Sequence, residues 1–193
     1  CQLSHDTMKT ILILCNLLIV YSQLSYHAPA LFEPQLIRPL PTSEQLNSVC
    51  ATGGGKIFAA GNNGAVVSLS LNTGVRELYN SRTPNDLNAI IFADKYRGTA
   101  VGEKGTAIFT TDAGLNWHTS KTATSRNLHD LCDAGPGILY AVGLGGTVLR
   151  SSNCGVSWNK VNTGYNIPLF SAHFAGMKYG SIGAFGSIMV TKD

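Results

Sequence analysis

Short apolar runs that open on a leucine recur along the chain at a regular period. The four runs occupy residues 46–50, 87–91, 128–132 and 169–173. About fifteen residues after each leucine stands a Gly-x-x-Gly turn, and these turns begin at Gly61, Gly102, Gly143 and Gly183. Self-similarity at a fixed period of about 20–50 residues is the signature of repeat architectures. Because the leucine runs and the glycine turns keep the same register, the sequence predicts an internal repeat of about 41 residues.

The pattern inside each repeat predicts four short antiparallel strands. In the second repeat the first three strands are 87–91, 98–101 and 106–110, and a fourth follows at 117–119. Glycines at both ends of a two-residue turn supply positive φ at low steric cost, as a tight hairpin requires. Four such strands about every 40 residues predict the blades of an all-β propeller. A helical solenoid is disfavoured because the repeat has no apolar period of about 3.6 residues.

The repeat divides the folded part, residues 46–193, into blades 46–86, 87–127, 128–168 and a shortened 169–193. This partition predicts about 3.5 blades, in an incomplete ring that belongs to a longer gene product. Residues 23–45 are assigned to a linker and an N-terminal strand at 35–40, which in a full ring would complete the last blade. We expect an open arc whose exposed edge strands promote self-association, and a dimerising half-ring is the alternative.

The most specific motif lies between the third and fourth strands of a repeat. It reads hydroxyl, hydroxyl, Asp or Asn, any residue, Gly, two residues, Trp. Its members are Thr111, Asp112, Gly114 and Trp117 in the second repeat, Ser152, Asn153, Gly155 and Trp158 in the third, and Asp193 in the fourth. The short polar side chain accepts N–H groups of its own turn, the glycine adopts the left-handed conformation, and the indole packs on the neighbouring layer. The predicted role is structural, because an asparagine makes a turn but is neither an acid nor a base.

These residues resemble the Asp-box of bacterial neuraminidase repeats. Combined with the glycine turn, the pattern Gly-x-x-Gly-Thr-x-x-x-x-Thr-Asp-x-Gly-x-x-Trp resembles the photosystem II stability/assembly factor family of seven-bladed propellers, over residues 46–193. The resemblance implies that the full ring has seven blades, of which this chain contains about 3.5. It also implies a non-catalytic scaffold that binds a protein partner. In a photosynthetic source it implies a role in photosystem II assembly.

The N-terminal residues are predicted to form a leader outside the folded body. Met8 and Lys9 precede a short, almost wholly apolar stretch, residues 11–20. The length of this stretch fits a signal-peptide core and falls short of the ~20 residues of a membrane-spanning helix. We expect cleavage near Ser22, with residues 1–7 as upstream sequence. The mature protein would then be exported without a membrane span, to the thylakoid lumen or periplasm if the source is photosynthetic. An uncleaved anchor or a buried strand is the alternative.

Composition excludes several classes of protein. The chain has 193 residues with 21 glycines, 13% charged residues and a net charge of +3. Low charge with abundant glycine disfavours disorder, coiled coils and helical bundles. The small and scattered positive charge excludes the concentrated basic footprint of a nucleic-acid-binding protein.

No cofactor or metal site is predicted. The sequence contains neither a His-x-x-x-His nor a Cys-x-x-Cys pattern, and the histidines of the folded part fall on different classes of strand. Cys50 and Cys132 occupy equivalent positions two blades apart, beyond the ~7 Å between Cα atoms that a disulfide spans. Both are expected to be small buried apolar groups, whereas Cys154 belongs to an outer turn. We therefore expect no intramolecular disulfide.

A glycoside hydrolase is the main alternative function, because neuraminidase repeats occur in enzymes. A sialidase needs an arginine cluster, a tyrosine nucleophile with a glutamate partner, and an acid/base aspartate. Arg38 lies in a weak version of the first arginine motif, and the remaining arginines follow no such pattern. The prediction is therefore no enzymatic activity. A sorting-receptor or adhesion-type propeller is a second alternative.

Basic and aromatic side chains gather in the hairpins that join the first and second strands of the blades. They are Lys56, Lys95, Tyr96, Arg97, Lys178 and Tyr179. Repeat geometry places these residues, named here the rim, on one face of the arc. Lysine, arginine and tyrosine are common binding groups, so the rim is suited to an acidic protein or peptide partner. Ordinary solvated turns are the alternative.

Overall fold

The computed structural model describes residues 40–175 and 179–192, which form four antiparallel sheets. The first contains β1 (Leu46–Ala51), β2 (Lys56–Gly61), β3 (Val66–Ser70) and β4 (Arg76–Tyr79). The second contains β5 (Leu87–Phe92), β6 (Gly98–Gly102), β7 (Ala107–Thr110) and β8 (His118–Thr119). The third contains β9 (Leu128–Gly135), β10 (Ile138–Gly143), β11 (Thr147–Ser151) and β12 (Asn159–Val161). The fourth contains β13 (Leu169–Ala175), β14 (Tyr179–Ala184) and β15 (Ser187–Lys192).

Each sheet is one blade, with its strands in sequential order. The prediction of an all-β propeller of about three and a half blades is confirmed. The predicted leader and signal peptide, most of the linker, Lys178 and Asp193 lie outside the described residues. In the part of the chain that the structure describes, no helix has the length and apolar character needed to cross a membrane.

The hydrophobic core lies between blades. The first cluster joins Phe58 and Val66 of the first sheet to Ile90, Ile108 and Trp117 of the second. The second cluster joins the second and third sheets around Val101, Leu131, Leu149 and Trp158, and the third joins the third and fourth sheets around Val142, Val148 and Leu169. A four-stranded sheet cannot bury an apolar face by itself, so each blade depends on its neighbour.

The first glycine of the turn does not have the positive φ that the sequence predicts. Gly102 is extended, with φ −171°. A Cβ atom on Gly102 would lie 1.9 Å from the carbonyl oxygen of Asp86, which enters β5. Glycine is required at position 102 because the backbone of Asp86 and Leu87, where β5 begins, passes directly against the Cα atom of this residue. The left-handed residue is the second glycine, Gly105, with φ +70°.

The fourth turn is one residue shorter than the third, and this explains why the last interval between glycine turns is also one residue shorter. In the third blade Gly143 pairs with Thr147, leaving three residues in the loop. In the fourth blade Ala184 pairs with Ser187, leaving two. Gly183, predicted to open the turn, therefore lies within β14.

The turn formed by the Asp-box-like motif is called here the box turn, and in the second and third blades it packs against the second strand of the preceding blade. A Cβ atom on Gly114 would lie 2.5 Å from the ring of Phe58, and one on Gly155 would lie 2.4 Å from Thr99 Oγ1. Phe58 and Thr99 are equivalent residues one repeat apart. Thr99 Oγ1 also donates a hydrogen bond of 2.9 Å to the carbonyl of Cys154. Both glycines have positive φ as well, at +84° and +81°, so conformation and contact each demand glycine.

A buried hydroxyl and a carboxylate hold the box turn of the second blade. Thr110 Oγ1 donates to Asp112 Oδ1 at 2.8 Å and accepts the N–H of Gly114 at 3.1 Å. Asp112 Oδ1 also accepts the N–H of Asn116 at 2.9 Å. Burial opposes ionisation of Asp112, but the hydrogen bonds from Asn116 and Thr110 outweigh it and hold the pKa of this carboxyl below its ordinary value of 3.8.

The third blade repeats this arrangement with neutral groups. Ser151 Oγ donates to Asn153 Oδ1 at 2.9 Å, and Asn153 Oδ1 accepts the N–H of Ser157 at 3.0 Å. Thr111 and Ser152, the hydroxyls named from the motif, are exposed. The buried hydroxyls stand one position earlier, at Thr110 and Ser151. Side chains alternate between the two faces of a strand, so Thr110 faces the core as Ile108 does, two residues before it.

We predict that Gly102→Ala lowers the free energy of unfolding by at least about 2 kcal/mol, because the added methyl group collides with the backbone at Asp86. Gly53→Ala is the matched control, since a Cβ atom there meets nothing within 4 Å. Urea denaturation measures both variants. Equal losses in the two would contradict the proposed close approach.

We predict that Asp112→Ala destabilises the protein at neutral pH by about 1–2 kcal/mol, because it removes the acceptor for Thr110 and Asn116. Asp112→Asn costs less, as Asn153 serves the same turn. Because the folded pKa of Asp112 is lowered, its stabilisation is present above the ordinary value of 3.8 and is lost as the pH falls through the folded pKa. Thermal denaturation across pH checks this. An advantage of wild type over Asp112→Asn that persists unchanged in acid would refute the role of the charge.

Candidate functional site

Two turns of each four-stranded blade lie together at one end of its sheet. A residue after the third strand donates its N–H to a carbonyl in the hairpin between the first two strands. The donors are Leu71, Ala113 and Cys154, and the acceptors are Gly55, Tyr96 and Gly137, at 2.9, 2.9 and 3.0 Å. Successive acceptors stand one repeat apart. The rim residues of the first and second blades are therefore carried at this end by pairs of turns joined by a hydrogen bond.

Lys56 is held by contacts within its own blade. Its Nζ lies 3.1 Å from Glu77 Oε2 and 3.2 Å from the Tyr79 hydroxyl. The same ammonium lies 5.7 Å from the ring centroid of Phe58. Burial acts to lower the pKa of Lys56, but the hydrogen bonds to Tyr79 and Glu77 raise it overall. The positive charge is neutralised within the sheet, and Lys56 fastens β2 to β4.

Arg97 is similarly committed to its own hairpin. Its Nε lies 2.7 Å from Asp94 Oδ2. Asp94 Oδ1 accepts the N–H groups of Tyr96 and Arg97 at 2.8 and 2.7 Å. This carboxylate therefore shapes the turn and cancels the guanidinium charge. The exposed pair that remains is Lys95 and Tyr96.

Lys95 and Tyr96 form a compact cationic and aromatic pair. Lys95 Nζ lies 4.8 Å from the ring centroid of Tyr96, and the tyrosine is 52% exposed. Tyr179 is also exposed, at the start of β14, and borders a shallow depression with His173 and Val190. The rim residues therefore differ in what they offer to a partner. Among those that the structure describes, the Lys95 and Tyr96 pair offers an unpaired positive charge to solvent.

A tyrosine and glutamate pair, one requirement of a sialidase, is present in the first blade. The Tyr79 hydroxyl donates to Glu77 Oε2 and lies 3.1 Å from Ser68 Oγ. The bond from Tyr79, followed by that from Lys56, lowers the pKa of Glu77. The carboxylate is thus already paired, and the cluster links β2, β3 and β4. Register alone brings Phe58, Ser68 and Glu77 side by side, so sheet pairing was the signal for this cluster.

The cysteines of the described residues have free thiols. Cys132 is buried, and burial together with nearby Asp130 raises its pKa to about 12. Cys154, predicted to lie in an outer turn, is buried instead where the box turn meets the preceding blade. Burial raises its pKa despite nearby Arg97. Neither buried thiol has the low pKa of a reactive nucleophile. In the same residues, no group of three metal-ligating side chains occurs.

A periodic hydroxyl in the connections between blades was not predicted. The residues that carry this hydroxyl are Ser81, Thr122 and Thr163, which follow one another at intervals of one repeat. Thr122 Oγ1 donates to the carbonyl of Gly105 at 2.6 Å, and Thr163 Oγ1 donates to that of Gly146 at 3.3 Å. Ser81 Oγ donates within its connection, to Thr83. The bonds from Thr122 and Thr163 hold the second and third connections near their glycine turns. Counting at the period of the repeat would have found all three hydroxyls.

First-strand side chains also tie each blade to the next. Asn47 Nδ2 donates to the carbonyl of Leu87 at 3.0 Å, and Asn88 Nδ2 donates to that of Leu128 at 2.7 Å. In the third blade His129 occupies this position and stacks on Phe170, with ring centroids 5.4 Å apart. The candidate surface therefore rests on blades joined at their first strands as well as at their box turns.

Comparison with known proteins supports the architecture. No protein-family model matches the chain, and no curated protein matches it. Solved structures do match. YCF48 bound to D1 peptide has 16% sequence identity and a TM-score of 0.59, covering 86% of this chain and 61% of that chain.

Two further structures give the same picture. YCF48 from Cyanidioschyzon merolae has 16% identity and a TM-score of 0.63, covering 77% of this chain and 50% of that chain. The computationally designed Ika4 protein has 13% identity and a TM-score of 0.67, covering 83% of this chain and 99% of that one. The chain therefore spans between half and two thirds of the two YCF48 chains. At these identities the likeness shows the fold, a β-propeller.

Proposed function

We propose that this chain is a non-catalytic scaffold that binds an acidic protein or peptide segment at the end of the blades that carries Lys95 and Tyr96. One observation carries the proposal: Lys95 and Tyr96 are exposed together, whereas the neighbouring Lys56 and Arg97 are neutralised by carboxylates of their own blades. A cation beside an aromatic face offers both charge and apolar area to a partner.

The hydrogen bond that joins the supporting turns favours a binding role for this surface over a catalytic one. Tyr96 accepts the N–H of Ala113 through its carbonyl, so its hairpin is fixed to the box turn. A pre-ordered surface loses little conformational entropy when a partner docks. Arg97 and Asp94 beside it are already paired with each other, which suits recognition better than acid–base chemistry.

The structural neighbours support a protein partner, because one YCF48 chain is bound to a D1 peptide. We therefore extend the proposal to a photosystem II assembly or stability role in a photosynthetic source. The leader from Met8 to about Ser22 would export the protein, to the thylakoid lumen or periplasm in that case and otherwise to the exterior.

Charge reversal tests the surface directly. An array of acidic peptides identifies a binder, and fluorescence anisotropy then measures its affinity for Lys95→Glu. We predict a loss of about tenfold, since the variant places like charges together. Lys104→Glu is the matched control, an exposed lysine in the glycine turn of the same blade, and it should change affinity by less than about twofold.

If the two substitutions weakened binding equally, the overall charge of the protein would explain the binding, and the proposed surface would be contradicted.

The glycoside hydrolase alternative is tested separately. In the described residues, Tyr79 and Glu77 are the hydrogen-bonded tyrosine and glutamate pair that could act as nucleophile and partner. Turnover of a fluorogenic sialoside that disappears in Tyr79→Phe would overturn the non-catalytic proposal.

A further inference from the structure

Two exposed aliphatic residues stand at the same place in the box turns of the second and third blades. Leu115 follows Gly114, and Val156 follows Gly155. The two side chains are 63% and 40% exposed. In the part of the chain that the structure describes, neither belongs to a hydrophobic cluster between blades. One exposed aliphatic residue is ordinary, but the same exposed position in successive repeats marks a surface.

The exposure of both side chains is set by blades that the structure describes. The box turn of the second blade lies against Phe58 of the first blade, and that of the third lies against Thr99 of the second. Each turn therefore already has the neighbour that the repeat provides. Leu115 and Val156 stay exposed with that neighbour in place.

The hairpin that carries Lys95 and Tyr96 lies between these two box turns. The Tyr96 carbonyl accepts the N–H of Ala113, which belongs to the box turn of the same blade. Thr99, just after the hairpin, donates to the carbonyl of Cys154 in the box turn of the third blade. The turn that carries Leu115 therefore adjoins one part of the hairpin, and the turn that carries Val156 adjoins another.

The two sides of this hairpin differ in charge. On the first-blade side is Gly54, where a Cβ atom would lie 3.9 Å from Lys95 Cβ, and this glycine brings no charge. On the third-blade side is the exposed Asp133. Burial raises the pKa of the Cys154 thiol there, and the nearby carboxylate of Asp133 adds to that rise. A negative group of a partner is therefore attracted to Lys95 and repelled from the side of Val156.

We propose that the segment bound here belongs to another protein and carries one acidic residue between two apolar residues. The acidic residue lies at Lys95 and Tyr96, and the apolar residues lie on Leu115 and Val156. This rests on the proposed function and names the pattern of side chains that the surface recognises. The acidic group comes from outside the hairpin, because the carboxylate of Asp94 is already paired with Arg97.

The apolar contacts make the expected preference different from that for charge alone. Burial of apolar area contributes affinity that salt does not screen, whereas attraction between exposed charges is screened. A run of several acidic residues gains attraction to Lys95 but loses both apolar contacts, and it brings negative charge towards Asp133. A single acidic residue with apolar neighbours is therefore preferred to an acidic run.

Three kinds of labelled peptide with blocked ends are the probes. Each has about nine residues, an extended length that spans neighbouring turns. The first kind has a central glutamate and a leucine two, three or four residues away on each side. The second has serine in place of both leucines, and the third has three adjacent glutamates and no leucine. By fluorescence anisotropy with the full chain, the best leucine peptide should bind at least about tenfold more tightly than the other kinds and keep this advantage in high salt.

Substitutions in the chain locate the apolar contacts. Leu115→Ser and Val156→Ser alter exposed residues outside the core, so the fold is retained. Each should weaken binding of the leucine peptide at least about threefold and leave binding of the serine peptide unchanged. Leu78→Ser is the matched control, a leucine of β4 that is 54% exposed, and it should change neither affinity.

The outcomes separate this proposal from the proposed function. If Lys95→Glu weakened every peptide while Leu115→Ser and Val156→Ser weakened none, the acidic-partner surface would stand and the apolar contacts would be refuted. Equal affinities of the leucine and serine peptides, or binding of neither, would also overturn the proposal. Self-association that Leu115→Ser abolishes would assign the surface to a second copy and overturn it as well. Indifference of every peptide to Lys95→Glu would contradict the proposed function, and this proposal with it.

Discussion

Contact between a box turn and the second strand of the preceding blade is the constraint on which this fold depends. Gly114 meets Phe58 and Gly155 meets Thr99 at distances that no Cβ atom could occupy. The turn can approach so closely only because its backbone is left-handed at that glycine and is held internally by Thr110 or Ser151. The approach brings the indole of the same turn into the interblade core.

This constraint makes the protein quasi-one-dimensional. Each interface is built from two successive blades, and hydrogen bonds such as that from Asn88 to the carbonyl of Leu128 repeat the connection at the first strands. Stability is then a sum of blade and interface contributions. The same design supports the proposed binding surface, because turns joined by hydrogen bonds at one end of the second blade present Lys95 and Tyr96.

The blades can be predicted from the sequence because the repeat combines many positions, and a local error does not disturb its period. Prediction from the sequence fails where the role of a residue depends on a contact with a distant part of the chain. Gly102 looks like a turn glycine, yet its role is set by the carbonyl of Asp86. Thr110 rather than Thr111 is buried because strand alternation decides the inward face. Lys56 looks free in the sequence, but in the folded sheet its side chain reaches Glu77 of β4.

Native-state hydrogen exchange in Gly155→Ala tests the role of the box turn most directly. The substitution introduces a Cβ atom that would lie 2.4 Å from Thr99 Oγ1, while Gly114 keeps its contact with Phe58. The predicted result is a loss of amide protection centred on β6, β11 and β12, with protection in β2 and β3 retained. Unchanged protection in β6, or an equal loss in all four sheets, would contradict blade-by-blade locking through the box turn.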